Sequence, residues 1–416
     1  MNRFKGLRDI VENGFCMSCG LCTGCAPDGV VTMAWSDNGQ LRPQLSRELS
    51  QGEDAAVLRL CPGVNQTGPF DGTRSDLDYV WGELRRVAMA WSADPGTRLR
   101  SSTGGVMTSV NRYMLESGRA AFILQVRGSD TRAEESEPVL VRDPAELLTG
   151  SQSRYGSSAP LKAIQNALQL GEPFAVSLKP CDIAGIRNLQ REDERARKLI
   201  VFTQTMVCGS VPSMHDTMAV IRRNGGDPER EPLAALRWRG NGCPGMFVAT
   251  MADGREVTNT YNDLWVDNPW TTQFRCKICP DAIGMQADFV SADSWPNAIA
   301  DGESEGSNLV MARTEVGAEV LAECERKGYL HVVEAGREVL DDTQPHQVRL
   351  RRSFGARLAG ALVAGVPVPN FNGLAEDITA AELTPEDLAN VFKGTIERVR
   401  AGQSDERVAP EDWQNP

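Results

Sequence analysis

Eleven cysteines stand in this chain of 416 residues, and eight of them fall into two sets whose spacing has a chemical meaning. Cys16, Cys19 and Cys22 read C-x2-C-x2-C within CMSCGLC. Three thiolates at that spacing can wrap three corners of one iron–sulfur cubane, because a short loop folds its sulfurs inward. Zinc sites more often draw two cysteines locally and the other pair from elsewhere. A cubane needs a fourth thiolate. Cys61 stands directly before Pro62, in the manner of a remote Cys-Pro ligand, whereas Cys25 comes one residue early and has Ala26 before Pro27. The first expected [4Fe–4S] set is therefore Cys16, Cys19, Cys22 and Cys61, with Cys25 a spare thiol or an alternative fourth ligand. A zinc knuckle or a group of free thiols is the competing reading.

Cys276 and Cys279 form a second C-x2-C in FRCKICPD, flanked by Arg275 and Lys277. Alone it would equally suit half a zinc ribbon. Cys181 (SLKPCDI) and Cys208 (MVCGSVP) each follow a strand-like run and open a helix-like one. In an open α/β sheet the strand C-termini share one edge, where ligands bind. Cys181, Cys208, Cys276 and Cys279 thus make a second expected four-thiolate set. Cys324 reads as a packed helix residue and Cys243 as part of a glycine-rich turn.

RSSTGGVMTSV (100–110) places Ser102, Thr103, Gly104 and Gly105 just before a helix, an arrangement that can cradle phosphate or simply cap the helix. SRYGSSAP (153–160) is a second such turn, with Tyr155 able to lie against a flat ring. Gly240 to Gly245 formally match G-x-G-x-x-G but lead into the strand pattern MFVATM, so a hairpin is expected there and not a dinucleotide site. His215 beside Cys208, Asp293 with Trp295 after a strand, and Lys179 are candidates for catalysis. Each also has a plain structural use as a surface or strand-end residue.

The elements that must hold these groups alternate along the chain. Val106–Glu116 has helical spacing, Ala121–Val126 is a short apolar strand, Pro160–Leu170 is helical and Phe174–Leu178 a strand. Asp182–Leu189 is again helical and Leu199–Val207 a strand. A hairpin is expected over Leu233–Thr260, and strands over Phe289–Ala292 and Leu309–Arg313. The fold expected is mixed α/β. Residues 1–66 form a cysteine-rich, ferredoxin-like head; 79–330 form a core with a partly parallel sheet flanked by helices; and 331–416 form a helical extension ending in a polar, frayed segment. Thr67 to Asp78 reads as a linker.

The bulk numbers narrow the partners. Hydrophobic residues make up 41% of the chain and charged residues 24%, ordinary for a globular protein, and 44 basic against 56 acidic residues give a net charge of −12. That balance argues against nucleic acid or an anionic membrane surface as the main partner. The first residues lack the apolar run of a secretory signal and no stretch approaches a membrane span, so a cytoplasmic location is expected, where clustered cysteines act as metal ligands or redox groups.

Taken in order, CMSCGLC with a later CP, STGGVMTSV, SRYGSSAPL, LKPCDIAGIR, VCGSVPS and FRCKICPD followed by ADFVSADSW resemble the coenzyme F-420 hydrogenase/dehydrogenase beta-subunit family, from about Cys16 to about Thr314. The resemblance implies an iron–sulfur flavoprotein oxidoreductase. It implies FAD near the STGGV and KPC segments, hence beside Ser102, Thr103, Gly104, Gly105, Thr108, Lys179 and Pro180. The cysteines of the KPC, VCG and CKIC motifs would lie near a cluster. Tyr155, Arg275 and Lys277 join the expected cofactor residues as a ring face and two cations, with Arg187 a further cation for the pyrophosphate. The leading expectation is a reductase that takes single electrons from ferredoxin or a similar carrier, relays them through two [4Fe–4S] clusters to FAD, and reduces a small organic substrate. The alternatives are a non-autonomous electron-transfer subunit of a larger complex and a coenzyme F-420 oxidoreductase. A homo-oligomer is compatible with either.

Overall fold

The computed structural model describes residues 3–71, 77–266, 270–295 and 302–407. Part of the expected linker (72–76) and the end of the expected frayed segment (408–416) lie outside them. An eight-stranded sheet organises the chain. Its strands are Arg86–Ser92 (β1), Phe122–Gly128 (β2), Ser136–Val141 (β3), Phe174–Ser177 (β4), Ile200–Met206 (β5), Phe289–Asp293 (β6), Asn308–Ala312 (β7) and Leu330–Glu334 (β8). The spatial order is β8-β1-β7-β6-β5-β4-β2-β3. Strands β2, β4, β5 and β6 run parallel, with Ala175 opposite Ile123, Val176 opposite Thr203 and Val290 opposite Thr205. The pairs at both flanks are antiparallel. The architecture is thus the partly parallel α/β sheet expected, with a strand-and-helix region before it and helices after it.

Side chains on successive strand residues point to opposite faces, and here both faces are apolar. Phe122, Leu124, Phe174 and Val176 enter one buried cluster, while Ile123, Ala175, Phe202 and Phe289 enter the other. Phe122 and Phe174 stack across β2 and β4 with centroids 4.8 Å apart. Helix α1 (Val106–Glu116) covers the second face with Val106, Val110, Tyr113 and Met114, the i, i+4, i+7, i+8 stripe of an amphipathic helix. It opens at Gly105, whose φ of +74° suits glycine. Helix α2 (Pro180–Glu192) begins with Pro180 in its first turn, where the missing N–H costs nothing, and buries Ile183, Ile186 and Leu189 against the first face.

In the head, Val31–Trp35 pairs antiparallel with Leu41–Leu45, and helix Gln51–Leu60 starts at a reciprocal Ser50–Glu53 capping box. Phe4, Leu7, Ile10 and Phe15 share one apolar cluster with Phe274 and Ile278 of the second cysteine segment. Asn65–Thr67 pairs in parallel with Asn370–Asn372. Helix α3 (Pro345–Val363) and helix α4 (Pro385–Arg400) close the chain. Leu233–Arg237, Phe247–Met251 and Glu256–Asn259 form a separate antiparallel sheet, and Gly240 to Gly245 make its first turn, as the strand pattern after them requires.

Several boundaries differ from the sequence pattern. Pro160–Leu170 splits into a 3-10 turn (Pro160–Ala163) and a short helix (Ile164–Gln169), and Leu199 ends a helix before β5 begins. Three strands of the central sheet escape the pattern altogether, as do the short strands of the head. β3 carries Pro138 and sits at the sheet edge, where a missing N–H is tolerated; β8 is a half-exposed edge strand; and β1 (RVAMAWS) is too Ala- and Met-rich to signal a strand. Among the described residues no helix is long and apolar enough to cross a membrane. Because Phe174 is wholly buried in the ring stack, Phe174→Ala should cost about 3–5 kcal/mol. Urea unfolding with an unchanged m-value would read this out, and a loss well below that would deny the stack its place in the core.

Candidate functional site

The parallel strands end at one edge, and there a cavity of about 530 Å³ opens, within the size range of small-molecule and cofactor sites. Ser177 to Lys179 after β4, Met206 to Val211 after β5 and Asp293 at the end of β6 form its floor. The loop before α1, the turn around Tyr155 and the start of α3 form its walls. Of the residues picked out by sequence, Ser102, Thr103, Gly105, Thr108, Tyr155, Lys179, Cys208 and Asp293 border it. Gly104 packs on Asn308, where a Cβ would come within 2.9 Å of the Asn308 amide nitrogen, and Pro180 is buried at the head of α2.

Three expected residues are not brought here. His215 is exposed at the start of another helix, with Nε2 2.7 Å from Asp37 O. Arg275 is buried between the two cysteine segments, and Lys277 lies beside α3 and α4, not against the cavity. Adjacency to Cys208, Cys276 or Cys279 in sequence misled here, because a turn separates each side chain from the strand edge. Arg187 also lies elsewhere, paired with Asp288 at the other end of β5 and β6.

The cavity wall at α1 is rich in donors. Ser102 Oγ accepts from Ser153 N at 2.7 Å, and Asn308 Nδ2 donates to Thr103 Oγ1 at 3.0 Å. The hydroxyls of Ser101 and Ser291 are buried, border the same cavity and have no partner among the described residues. Orphaned hydroxyls beside the amide end of a helix of three turns suit a phosphate-bearing ligand. The opposite wall is aromatic: Tyr155 packs edge-on against Trp265 at 4.7 Å, Trp265 lies 4.9 Å from Trp270, and Tyr261 meets Trp295 at 5.1 Å.

Between these walls sits Arg239, which the sequence pattern did not single out. Its guanidinium lies 5.0 Å from the Tyr261 ring and 4.9 Å from that of Trp295. Nη1 is 3.1 Å from Asp293 Oδ2, Nη2 donates to Ser102 O at 3.0 Å and Nε donates to Pro244 O at 3.2 Å. Burial opposes its charge, but Asp293 together with Tyr155 and Tyr261 more than offsets burial and raises its pKa. One planar cation thereby fixes the α1 loop, the hairpin, the end of β6 and two rings. Asp293 holds this arginine instead of standing free as a catalytic acid.

The eight cysteines lie in two buried groups. Cys16, Cys19, Cys22, Cys25 and Cys61 border one small apolar cavity in the head. Cys61 receives hydrogen bonds from the backbone of Gly63 and Val64, and Cys16 from Ser18 N at 3.5 Å. Cys25 instead has its thiol 3.9 Å from Leu21 O. Cys181, Cys208, Cys276 and Cys279 lie close enough to act on one another electrostatically, and the backbone of Val211 and Asp281 hydrogen-bonds to Cys276 and Cys279. Among the described residues no three or more His, Cys, Asp or Glu groups converge on a point that would hold a single metal ion. Arg275, almost fully buried, has no carboxylate partner among the described residues. Its Nε donates to Gly63 O at 2.7 Å, its Nη1 to Ile278 O at 3.1 Å, and its Nη2 is unpaired. It feels thiols of both groups: Cys279, Cys181, Cys276 and Cys61. A buried cation without an acid, set between two groups of thiols, fits anionic clusters on either side.

Two of these features can be measured directly. Asp293→Ala would leave the almost fully buried Arg239 unpaired and should cost about 3–5 kcal/mol, read by urea unfolding, whereas a loss below about 1 kcal/mol would mean that the pair is solvent-screened. Burial raises Cys61, Cys208 and Cys324 to about 12 and Cys279 to about 11, while an unfolded thiol ionises near about 8.5. Over that interval the unfolded chain has lost protons that the folded chain keeps, so metal-free protein should lose stability as pH rises from roughly 9 to 12. Cys324→Ala should flatten the slope, and a pH-independent unfolding midpoint would contradict the burial.

Residues 87–165 match the N-terminal model of the coenzyme F420 hydrogenase/dehydrogenase beta subunit, and 171–338 its C-terminal model. The coenzyme F420-dependent sulfite reductase of Methanocaldococcus jannaschii is 28% identical over 190 residues, 44% of this chain and 26% of that protein. The F420-dependent formate dehydrogenase 1 subunit beta of Methanococcus maripaludis is 25% identical over 243 residues, 58% of this chain and 59% of that one. A subunit of the F(420)H(2) dehydrogenase of Methanosarcina mazei is 22% identical over 371 residues, 86% and 90% of the two chains. The chain therefore spans 26% and 59% of the first two relatives. A chain from the F420-reducing [NiFe] hydrogenase complex of Methanosarcina barkeri superposes with a TM-score of 0.49 at 20% identity, covering 67% of this chain and 96% of that one. With both models matched across the central sheet, the chain belongs to the coenzyme F420 hydrogenase/dehydrogenase beta-subunit family of oxidoreductases.

Proposed function

We propose that this chain is an iron–sulfur flavoprotein that exchanges electrons with coenzyme F420, as the flavin-bearing component of a larger redox assembly. The observation that carries it is a donor-lined, aromatic-walled cavity bordered by Cys208 of one thiol group, with Cys19 of the other group within the field of Asp182 at the cavity floor. The names of the curated relatives each refer to F420. They favour this reading over the reduction of an unrelated small organic molecule.

Ser101, Ser102, Thr103 and the first amides of α1 would hold the pyrophosphate of FAD, and Tyr155 would lie beside its ring system. Lys179, paired with Asp182 at 2.7 Å, keeps a positive charge at the cavity floor, where it can offset an anionic reduced ring. Burial lowers its pKa, yet Asp182 and Cys181 more than offset burial. Cys16, Cys19, Cys22 and Cys61 would hold one [4Fe–4S] cluster, and Cys181, Cys208, Cys276 and Cys279 the other. The two backbone donors on Cys61 stabilise a thiolate, which favours it over Cys25 as the fourth ligand. Bound flavin and clusters would supply the conversion between two-electron and one-electron steps.

Purification without oxygen, with iron, sulfide and flavin assays, tests this directly. The expected result is a brown protein with about eight irons and one FAD, if each cubane takes four thiolates, that bleaches when reduced and reduces or oxidises coenzyme F420. Cys61→Ser should retain about four irons, and Cys25→Ser about eight. A colourless protein carrying zinc and no flavin would overturn the reading.

A further inference from the structure

The last two helices carry a group of cations of which only His346 also borders the cavity. His346, Ser353 and Arg357 occupy i, i+7 and i+11 of α3, with Arg349 at i+3, so the four share one helix face. Ser353 Oγ accepts from Arg357 Nε at 3.0 Å, and Arg357 Nη1 donates to Lys277 O at 2.9 Å. That bond ties the face to the Cys276–Cys279 segment. Helix α4 packs on α3 and adds Arg398.

These cations act on one another. Burial together with Arg398 lowers the pKa of both Lys277 and Arg357; burial together with Arg357 and Lys277 lowers that of His346. Arg349 and His346 are exposed and the others half-buried. Among the described residues none of the five is paired with a carboxylate, although the chain as a whole carries a net charge of −12. Like charges gathered without a counter-charge repel, and an acidic partner would relieve the repulsion. Four of the five lie beyond residue 338, where the family match ends. A ligand common to the family therefore does not account for them.

We propose that this face docks an acidic one-electron-carrier protein, which exchanges electrons with the cluster site at Cys276 and Cys279. The destination of the electron rests on the iron–sulfur reading above; the docking does not. In the reducing direction one electron leaves the reduced carrier and enters the cluster, and no bond forms or breaks.

The test uses the full chain, purified without oxygen, and a plant-type [2Fe–2S] ferredoxin as the acidic probe, with binding followed by surface plasmon resonance. Affinity should fall about tenfold between roughly 50 and 300 mM salt, as screening shortens the range of the charges. The double variant Arg349→Glu with Arg398→Glu should weaken binding at low salt by about tenfold or more, with iron content unchanged. As a control, Arg191→Glu with Arg197→Glu alters the open groove at the other end of β5 and should bind as the parent does. Parental binding by the first variant, or an equal loss in the control, would falsify the proposal. So would a shift in the KM for coenzyme F420 with carrier binding intact, since the face would then serve a small acidic ligand. If iron is absent but the salt-sensitive docking persists, the docking stands and the cluster reading falls.

Discussion

A buried ion pair at the start of α2 sets the terms for the rest of the molecule. Lys179 Nζ lies 2.7 Å from both carboxylate oxygens of Asp182, with the two side chains 12% and 1% exposed. Such a pair gains little net stability, but losing either partner would strand a charge away from water. The pair therefore has to stay where β4 delivers it, at the strand edge and one residue before the first turn of α2. From there the field of Lys179 reaches Cys16 and Cys19 in the head and Cys181, Cys208 and Cys276 in the core. Both thiol groups and the cavity floor thus share one positive centre. The Asp182 carboxylate is what lets that centre stay charged away from water.

Three further buried arginines act on backbone, not on acids. Arg275 donates to Ile278 O, Arg351 to Pro280 O at 3.0 Å and Arg313 to Ile283 O at 2.8 Å. All three carbonyls belong to the segment from Ile278 to Ile283, which passes through Cys279 on its way to β6. A loop with no regular ladder of its own must satisfy its carbonyls elsewhere, and here guanidinium groups from the short helix Phe274–Lys277, from α3 and from the end of β7 do so. Burial lowers each of these cations. The turn is held in place by groups that would also favour negative charge nearby.

What the sequence reveals follows from which patterns are local. The C-x2-C-x2-C run, the apolar strands β4, β5 and β6, and the Ser-Gly loop before α1 each declare themselves within about ten residues, and the strands and the helix after the loop form where the pattern puts them. Edge strands do not, because their pairing partner and not their own alternation stabilises them. β1 is central yet silent for a related reason: Ala88 and Ala90 are wholly buried but too small to mark a strand. The candidate site shows the same split. Tyr155, Thr103 and Lys179 reach the cavity because the elements carrying them end there. His215 and Lys277 do not, because nearness in sequence to a cysteine says nothing about the direction of a side chain after a turn.

Arg239 is the instructive omission. The glycines that follow it, Gly240 to Gly245, invite a phosphate-binding reading and fail it, since a strand follows and not a helix. Their use is steric. Gly240 has φ +96°, and a Cβ there would collide with Arg100 O, while Gly245 (φ +75°) packs against Gly240 itself. Only a chain without side chains at these points lets the hairpin press on the segment just ahead of Ser101. That approach brings the guanidinium of Arg239 to Ser102 O and Asp293 together, between Tyr261 and Trp295. The glycine motif therefore shapes the cavity after all, though indirectly: it sets the distance at which an arginine can join the loop before α1 to the aromatic wall.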